Sequence, residues 1–256
     1  MIWIFDSWFG WLSVLKELRK ILPQYDYIYF WDSLNAPYWE KNPEEIKKLT
    51  VDWIKFLFDN WAKLVILACN TAMVHSIKDL QQNIFFDKKI LWVTIPGAEK
   101  VVELWYKKIW VLATSSTVKY WAYKNRVHIL NSSIIIQEIE APKIVPLIEK
   151  WEHETLNFNK ILKSYISLFD KDIEGLVLWC THYTLISDKI RNILPEKTTI
   201  IDPSFESSIK FQKYLENHKD IEERLLKNWR LEIYTSWNYN DFKSLWKHFF
   251  DFDCLS

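Results

Sequence analysis

The chain has 256 residues, in which 33 lysines and arginines balance 33 aspartates and glutamates. This balance excludes a strongly basic surface of the kind that binds nucleic acid or an anionic membrane, and no apolar run approaches the roughly 20 residues of a membrane span. The length favours one or two domains, while three widely separated cysteines and an N-terminus without a signal-peptide layout favour the cytoplasm.

Short apolar segments alternate with amphipathic segments along nearly the whole chain. In chain order, the predicted strands are IWIF, YDYIYF, KLVILA, KILWVTI, KIWVLAT, SIIIQEI, EGLVLW, TTIID and LEIYTS. The predicted helices between them include SVLKELRKIL, PEEIKKLTVDWIKFLFDN, TAMVHSIKDLQQ and FNKILKSYISLFDK, with apolar residues at spacings of three and four. This alternation predicts an α/β fold of mainly parallel sheets flanked by helices, with functional residues at the carboxyl ends of the strands.

Two parts of the chain resemble each other. KLVILACNTA, from Lys63, is similar to GLVLWCTHYT, from Gly175, and IWIFDS, from Ile2, is similar to IWVLATSS, from Ile109. Within each half the first strand precedes the Cys strand by on the order of 65 residues, as a duplicated unit requires. We therefore expect two pseudo-symmetric α/β domains that face one another across a cleft. The expected domains are 1–95 with 204–256, and 96–203.

Glycine is scarce in this chain and tryptophan is abundant. There are 3 glycines and 16 tryptophans, whereas average usage gives roughly 18 glycines for this length. Several tryptophans, such as Trp61, Trp105 and Trp229, come where a helix should end and the chain should turn, and glycine is favoured there. Tryptophans of a core or of a stacking surface for nucleic acid or sugar should instead follow a helical or strand period. We therefore hypothesise that most or all of the 16 are glycines in the natural protein, because UGA has different meanings in variant genetic codes.

Two cysteines take equivalent positions in the repeated segments, and several chemistries are open to them. A single cysteine is most often a small buried packing residue, and Cys254 is assigned to this role. A metal site of Cys69, Cys180 and His182 would lack the close ligand pairs of structural zinc sites. A thiol hydrolase could use Cys180 with His182, but it would leave Cys69 idle. Proton exchange at a carbon uses both thiols, one on each face of the carbon.

The motifs at these positions resemble one enzyme family. With Trp8, Trp11, Trp39 and Trp179 read as glycine, the chain contains DSGFGGLSVL, PYGEK, ACNTA, ATSSTV and GCTHYT in this order. This set resembles the glutamate racemases over essentially the whole chain, and the CTH form is more similar to them than to the aspartate racemases. The resemblance implies a cytoplasmic enzyme without cofactor or metal that makes D-glutamate for peptidoglycan, with its active site between the two halves. Its partner would be the small-molecule substrate, and a homodimer stays open.

The resemblance also implies a role for each matching residue. Cys69 and Cys180 would be the two acid/base thiols, assisted by Asp6 and His182 respectively. The residues that would bind the substrate's carboxylates and ammonium are Asp6, Ser7, Tyr38, the Tyr38 and Trp39 backbone, Asn70, Thr71, Thr181 and His182. One thiol must be ionised to act as a base, so nearby donors and charges are needed at that site.

Other residues keep simpler interpretations. Asp6 alone could cap a helix. Glu149 resembles a family glutamate near the catalytic histidine, although a solvated helix face is equally expected, and Thr114 and Thr117 are assigned to a helix cap. Thr184 stands where the family usually has proline, which touches neither thiol. An aspartate racemase, a Cys-dependent hydrolase and a non-catalytic ligand-binding protein remain the alternative functions.

Overall fold

The computed structural model describes residues 1–7 and 12–236. The chain divides into two compact units, one formed by Met1–Val93 with the chain from Ser208 onward, and one formed by Thr94–Ser207. The predicted turns at Trp8 and Trp11, and Cys254, lie outside the described residues.

The described chain alternates strands and helices. Its first part contains β1 (Ile2–Asp6), α1 (Leu12–Ile21), β2 (Tyr27–Trp31), a 3-10 turn (Tyr38–Glu40), α2 (Pro43–Asp59), β3 (Leu64–Leu67), α3 (Asn70–Asp79), a π-helical turn (Leu80–Ile84) and β4 (Ile90–Trp92). Its middle part contains α4 (Thr94–Glu103), β5 (Lys108–Ala113), α5 (Ser115–Lys119), α6 (Ala122–Leu130), β6 (Ile135–Glu140), α7 (Ile144–Glu149), a 3-10 turn (Glu152–Glu154), α8 (Leu156–Ile166), β7 (Gly175–Trp179), α9 (Thr181–Thr184), α10 (Ser187–Arg191) and β8 (Thr199–Ile201). The last described elements are α11 (Pro203–Asn217), α12 (Lys219–Glu222) and β9 (Leu231–Thr235).

Each unit is built on one parallel sheet. The sheet of the first unit has the order β4-β3-β1-β2-β9, and that of the second unit has the order β6-β5-β7-β8. The two sheets share one strand order. When the strands of each unit are numbered from one to four along the chain, both β4-β3-β1-β2 and β8-β7-β5-β6 have the order fourth, third, first, second. The predicted α/β fold with two similar units is confirmed, and each of the nine predicted strands overlaps an observed one.

The alternation of side chains along β1 separates a core face from the face that carries polar residues. Trp3 and Phe5 point to the same side as Phe30 of β2, and they belong to one buried apolar cluster with residues of α2 such as Ile54. Complete burial of each such side chain stabilises the fold by about 1.5–3 kcal/mol. The opposite face carries Asp6, at the carboxyl end of the strand.

Two predicted elements end earlier than the sequence pattern indicates. The strand predicted over KILWVTI stops at Trp92, because α4 begins at Thr94; Pro96 fits the first turn of that helix, where a backbone N–H has no helical acceptor. The helix predicted over FNKILKSYISLFDK stops at Ile166. The chain then turns, and the buried Phe169 stacks on Trp110 of β5 with ring centroids 4.4 Å apart.

Helices able to cross a membrane are absent from the described part of the chain, since none combines the length and the apolar character required.

Candidate active site

The first thiol, Cys69, lies where β3 gives way to α3. The buried strand ends at Leu67, and Cys69 is the N-cap residue of α3. Its Sγ accepts a hydrogen bond from the Ala72 amide at 3.3 Å and lies 2.9 Å from the hydroxyl of Ser7, which follows β1. The carboxyl ends of neighbouring parallel strands meet at one edge of the sheet, so the β1 and β3 termini bring these residues together.

The surroundings of Cys69 favour its protonated form. Burial raises its pKa to about 12, and the Asp6 carboxylate raises it further, while the Ser7 hydroxyl and the Ala72 amide oppose this shift. Cys69 is therefore a neutral thiol near pH 7 in this structure. A neutral thiol can donate a proton, but it must lose its own proton before it can act as a base.

Asp6, the last residue of β1, has a tyrosine beside it. Its side chain is buried, and its Oδ2 accepts a hydrogen bond of 3.2 Å from the hydroxyl of Tyr29 on β2. Burial, and then the Asp6 charge, raises the pKa of Tyr29, so this phenol is a hydrogen-bond donor at every ordinary pH. Tyr29 was not predicted from the sequence, because an apolar-looking YIYF run indicates only a buried strand.

A buried carboxylate organises the loop that carries Tyr38 and Trp39. Asp32 follows β2 and is fully buried. It accepts hydrogen bonds from the Tyr38 hydroxyl at 2.7 Å, from the Asn35 amide at 3.0 Å and from the Ser236 hydroxyl at 2.8 Å. The loop is thus tied to the end of β9 as well as to β2. Sequence reasoning missed Asp32, although its place after a strand is the same signal that selected Asp6.

The second thiol, Cys180, occupies the matching position in the other unit. It follows β7 and is the N-cap residue of α9, whose first residue is Thr181. The Cys180 Sγ lies 3.6 Å from Nδ1 of His182, and Nε2 of His182 lies 3.3 Å from a carboxylate oxygen of Glu149 at the end of α7. Cys180, Thr181 and His182 are all buried.

These contacts form a chain from thiol to imidazole to carboxylate. Nε2 lies within ion-pair distance of the Glu149 carboxylate, and Nδ1 is the ring nitrogen nearest the thiol. The imidazole therefore lies between the thiol and the carboxylate. Glu149, for which a solvated helix face was equally expected, therefore contacts the predicted histidine.

The remaining predicted residues take separate positions in the two units. Asn70 and Thr71 open α3 and are largely buried. The hydroxyls of Thr114 and Thr117 lie 3.2 Å apart at the start of α5. The Thr184 hydroxyl donates to Asp202 at 3.0 Å, a contact that proline at this position would lack.

The described residues contain no metal cluster, and one cavity lies away from the predicted site. Among residues 1–7 and 12–236, no three His, Cys, Asp or Glu side chains are grouped so that they could hold a metal ion. A cavity of about 820 Å³ in the first unit is lined largely by aromatic side chains, including Trp3, Phe30, Trp53 and Tyr234. It contains none of the predicted site residues, and it opens on the apolar face of the sheet rather than on the face of Asp6.

Comparison with known proteins identifies the family of this chain. The family model described as Asp/Glu/Hydantoin racemase matches residues 12–204. The chain belongs to this family. It is 37% identical over 222 residues to a glutamate racemase of Clostridium novyi, covering 86% of this chain and 85% of the relative.

Solved structures agree with this assignment. The chain is similar to a glutamate racemase of Bacillus anthracis, with a TM-score of 0.89 and 26% identity, covering 100% of this chain and 97% of that one. It is also similar to a glutamate racemase of Francisella tularensis that was solved with D-glutamate, with a TM-score of 0.86 and 31% identity, covering 97% and 92%.

Proposed function

We propose that this protein interconverts L-glutamate and D-glutamate with two cysteine thiols and no cofactor, and that it supplies D-glutamate for peptidoglycan in the cytoplasm. The observation that carries the proposal is the placement of Cys69 and Cys180. Each follows the third strand of the same four-strand arrangement, and each has its own polar assistants. A Cys-dependent hydrolase would need only one such thiol with one base.

The proposed reaction moves one proton at each face of Cα. The thiolate of one cysteine takes the Cα proton and becomes a thiol, and the electron pair stays on the substrate as a carbanion conjugated with its carboxylate. The thiol of the other cysteine gives its proton to the opposite face and becomes a thiolate. Atoms and charge balance, and the enzyme ends with the two protonation states exchanged, ready for the reverse direction.

The environments of the two thiols support a starting assignment. Cys69 is held neutral by burial and by Asp6, which suits the donor. Cys180 lies beside an imidazole that can accept its proton, which suits the base. Binding of the substrate's two carboxylates and its ammonium is assigned to Asp6, Ser7, Tyr38, Trp39, Asn70, Thr71, Thr181 and His182. Hydroxyls, amides and backbone N–H groups at helix N-termini are suitable donors for carboxylates.

Incubation in D₂O tests this function. L-glutamate should gain deuterium at Cα and lose its optical rotation, whereas L-aspartate should react much more slowly. Faster exchange of aspartate would favour aspartate racemisation instead. Unchanged glutamate and aspartate, both free of deuterium, would contradict racemisation of either.

We further propose that most or all of the 16 tryptophans are glycines in the natural protein. Among the described residues, the non-glycine residues with positive φ are all tryptophans, with φ between 50° and 65°: Trp61, Trp105, Trp121, Trp151 and Trp229. This left-handed conformation costs a residue with a Cβ about 1–2 kcal/mol, and glycine adopts it freely. Gly97 and Gly175, in contrast, do not have positive φ.

Four of these tryptophans share one place in a helix-ending motif. Trp61, Trp105, Trp121 and Trp151 each come two residues after a helix ends, and each amide donates to the carbonyl three residues earlier. At Trp61 the next amide also donates to the Leu57 carbonyl at 3.1 Å, which completes a Schellman motif. Glycine is the usual residue at the left-handed position of this motif.

At two of these turns the side chain does little to compensate for the backbone. Trp61 is 82% exposed and Trp105 is 87% exposed, so little burial offsets the strain. In the core, the indole N–H of Trp110 makes no hydrogen bond within the described chain, although buried indoles usually do. Trp53 is different: it lies inside α2 and contacts Phe30 with ring centroids 4.6 Å apart, so glycine is poorly suited to this site.

The intact mass of the protein purified from its own host tests the reassignment. A mass lower than that of the printed sequence by a whole number of Trp-to-Gly differences supports it. A mass that matches 16 tryptophans would reject it.

A further inference from the structure

We propose that Tyr29 is a positioning residue for Asp6, and that its hydroxyl holds the carboxylate that serves the Cys69 thiol. The inference rests on the proposed two-thiol racemisation and adds one residue to it. Tyr29 would act only through Asp6, so it should affect proton transfer at Cys69 and not at Cys180.

The sheet fixes where the phenol points. Tyr29 lies in β2, between β1 and β9, and pairs with Ile4 on one side and with Ile233 on the other. Because side chains alternate along a strand, Tyr29 is on the same face as Ile4 and Asp6. The side chain is fully buried, and its hydroxyl reaches Asp6 Oδ2 at 3.2 Å. Strands on both sides leave the ring little freedom to move.

The position of the Asp6 carboxylate matters because its charge acts on the thiol. Asp6 raises the pKa of Cys69, so a change in its rotamer changes how readily that thiol gives or takes a proton. A buried carboxylate is also costly without donors, and a hydrogen bond to the charged form offsets part of this cost. The Tyr29 hydroxyl therefore stabilises the negative charge of Asp6 and also fixes the orientation of its carboxylate.

The chain contains a matched control two residues away. Tyr27 lies on the same strand and the same face, and it is equally buried. Its hydroxyl donates to the Leu22 carbonyl at 2.9 Å instead of to a carboxylate. Tyr29→Phe and Tyr27→Phe each remove one buried hydroxyl from β2, but only Tyr29→Phe removes a donor to Asp6.

The experiment compares these two variants with their parent, all three being full-length chains that carry glycine in place of the reassigned tryptophans. Tyr29→Phe should lower kcat by about 10-fold to 100-fold, as expected for a misplaced catalytic group, while KM changes by less than about threefold. Tyr27→Phe should leave both constants nearly unchanged, and both variants should show similar small shifts in their denaturation midpoints.

Isotope effects identify which thiol is affected. For two enantiomers the equilibrium constant is one, so kcat/KM must fall equally in both directions. With Cα-deuterated substrates, however, slowing transfer at Cys69 makes it more rate-limiting for the enantiomer that Cys69 deprotonates, and the isotope effect on kcat/KM should rise. For the other enantiomer the isotope effect on kcat/KM should fall. A smaller folded fraction alone would change neither isotope effect.

The outcomes separate this inference from the proposed function. If the folded parent chain with these glycines exchanges no Cα proton, the proposed function fails and Tyr29 has no catalytic role to support. If the chain racemises glutamate but Tyr29→Phe behaves like Tyr27→Phe, the positioning role is rejected and the function stands. Asp6→Asn provides a last check, since adding Tyr29→Phe to it should cause little further loss, and additive losses would contradict action through Asp6.

Discussion

Replacing the five left-handed tryptophans by glycine should raise the free energy of unfolding by about 5 kcal/mol. Each site should gain about 1–2 kcal/mol because glycine has no Cβ to strain at positive φ. Each glycine also gives back about 0.4–1 kcal/mol through the greater entropy of the unfolded chain. The net gain is about 1 kcal/mol per site, and the gains should add if the five turns are structurally independent. A change of this size is comparable to the whole stability of many domains.

The measurement is urea unfolding of the two full-length chains, together with the soluble fraction on expression. The control is a chain with alanine at the same five positions, which removes the indoles but keeps Cβ and therefore the strain. Trp53→Gly provides the opposite control, because glycine inside α2 should cost about 1 kcal/mol in helix propensity, and more through the lost contact with Phe30.

Equal stability of the glycine and alanine chains would refute the reasoning, because the gain would then come from removing exposed indoles and not from the backbone. A stable printed chain that gains nothing from glycine would refute it as well. A printed chain that fails to fold, beside a glycine chain that folds and an alanine chain that does not, would support it.

Three further predictions concern the thiols. Cys69→Ser and Cys180→Ser should each abolish racemisation, while each retains elimination from a glutamate analogue with a good leaving group, with opposite preference for the enantiomers; full activity of either variant would reject the two-thiol mechanism. Glu149→Gln should lower kcat by about 10-fold with little change in KM, because an amide stabilises the His182 imidazolium less than a carboxylate does. Burial raises the pKa of Cys69 from 9.0 to about 12, so its contribution to stability is complete below pH 9 and is lost as pH rises towards 12. Between pH 8 and pH 10 the unmodified chain should therefore lose about 1 kcal/mol more unfolding free energy than Cys69→Ala, as measured by urea titration at each pH.

The strands and the thiols could be predicted from the sequence because their signals are local. A buried parallel strand is a short apolar run, and a polar residue after such a run lies at the functional edge of the sheet. This rule is sufficient for Asp6, Cys69 and Cys180. Applied to β2 the same rule also selects Asp32, which follows that strand and is buried.

Contacts between distant segments could not be predicted in this way. Glu149 and His182 are 33 positions apart in sequence, and α7 has an apolar face, so only the packing of α7 near α9 brings the carboxylate to the imidazole. Tyr29 is hidden for a different reason. Its hydroxyl is the only polar atom of a side chain that otherwise fits an apolar strand, and the register of β1 against β2 decides whether it meets a carboxylate or an apolar neighbour.

The same strand arrangement thus places different polar side chains beside Cys69 and Cys180. The proposed reaction gives a reason for this difference. The proposed racemisation uses one thiol and one thiolate at a time, so two identical sites would compete for a single proton. Beside Cys69 a buried carboxylate, held by a phenol, favours the neutral thiol. Beside Cys180 lies an imidazole, which in turn lies 3.3 Å from a carboxylate oxygen. The duplicated strand arrangement thus gives two cysteines unequal surroundings, as the proposed mechanism requires of a proton donor and a base.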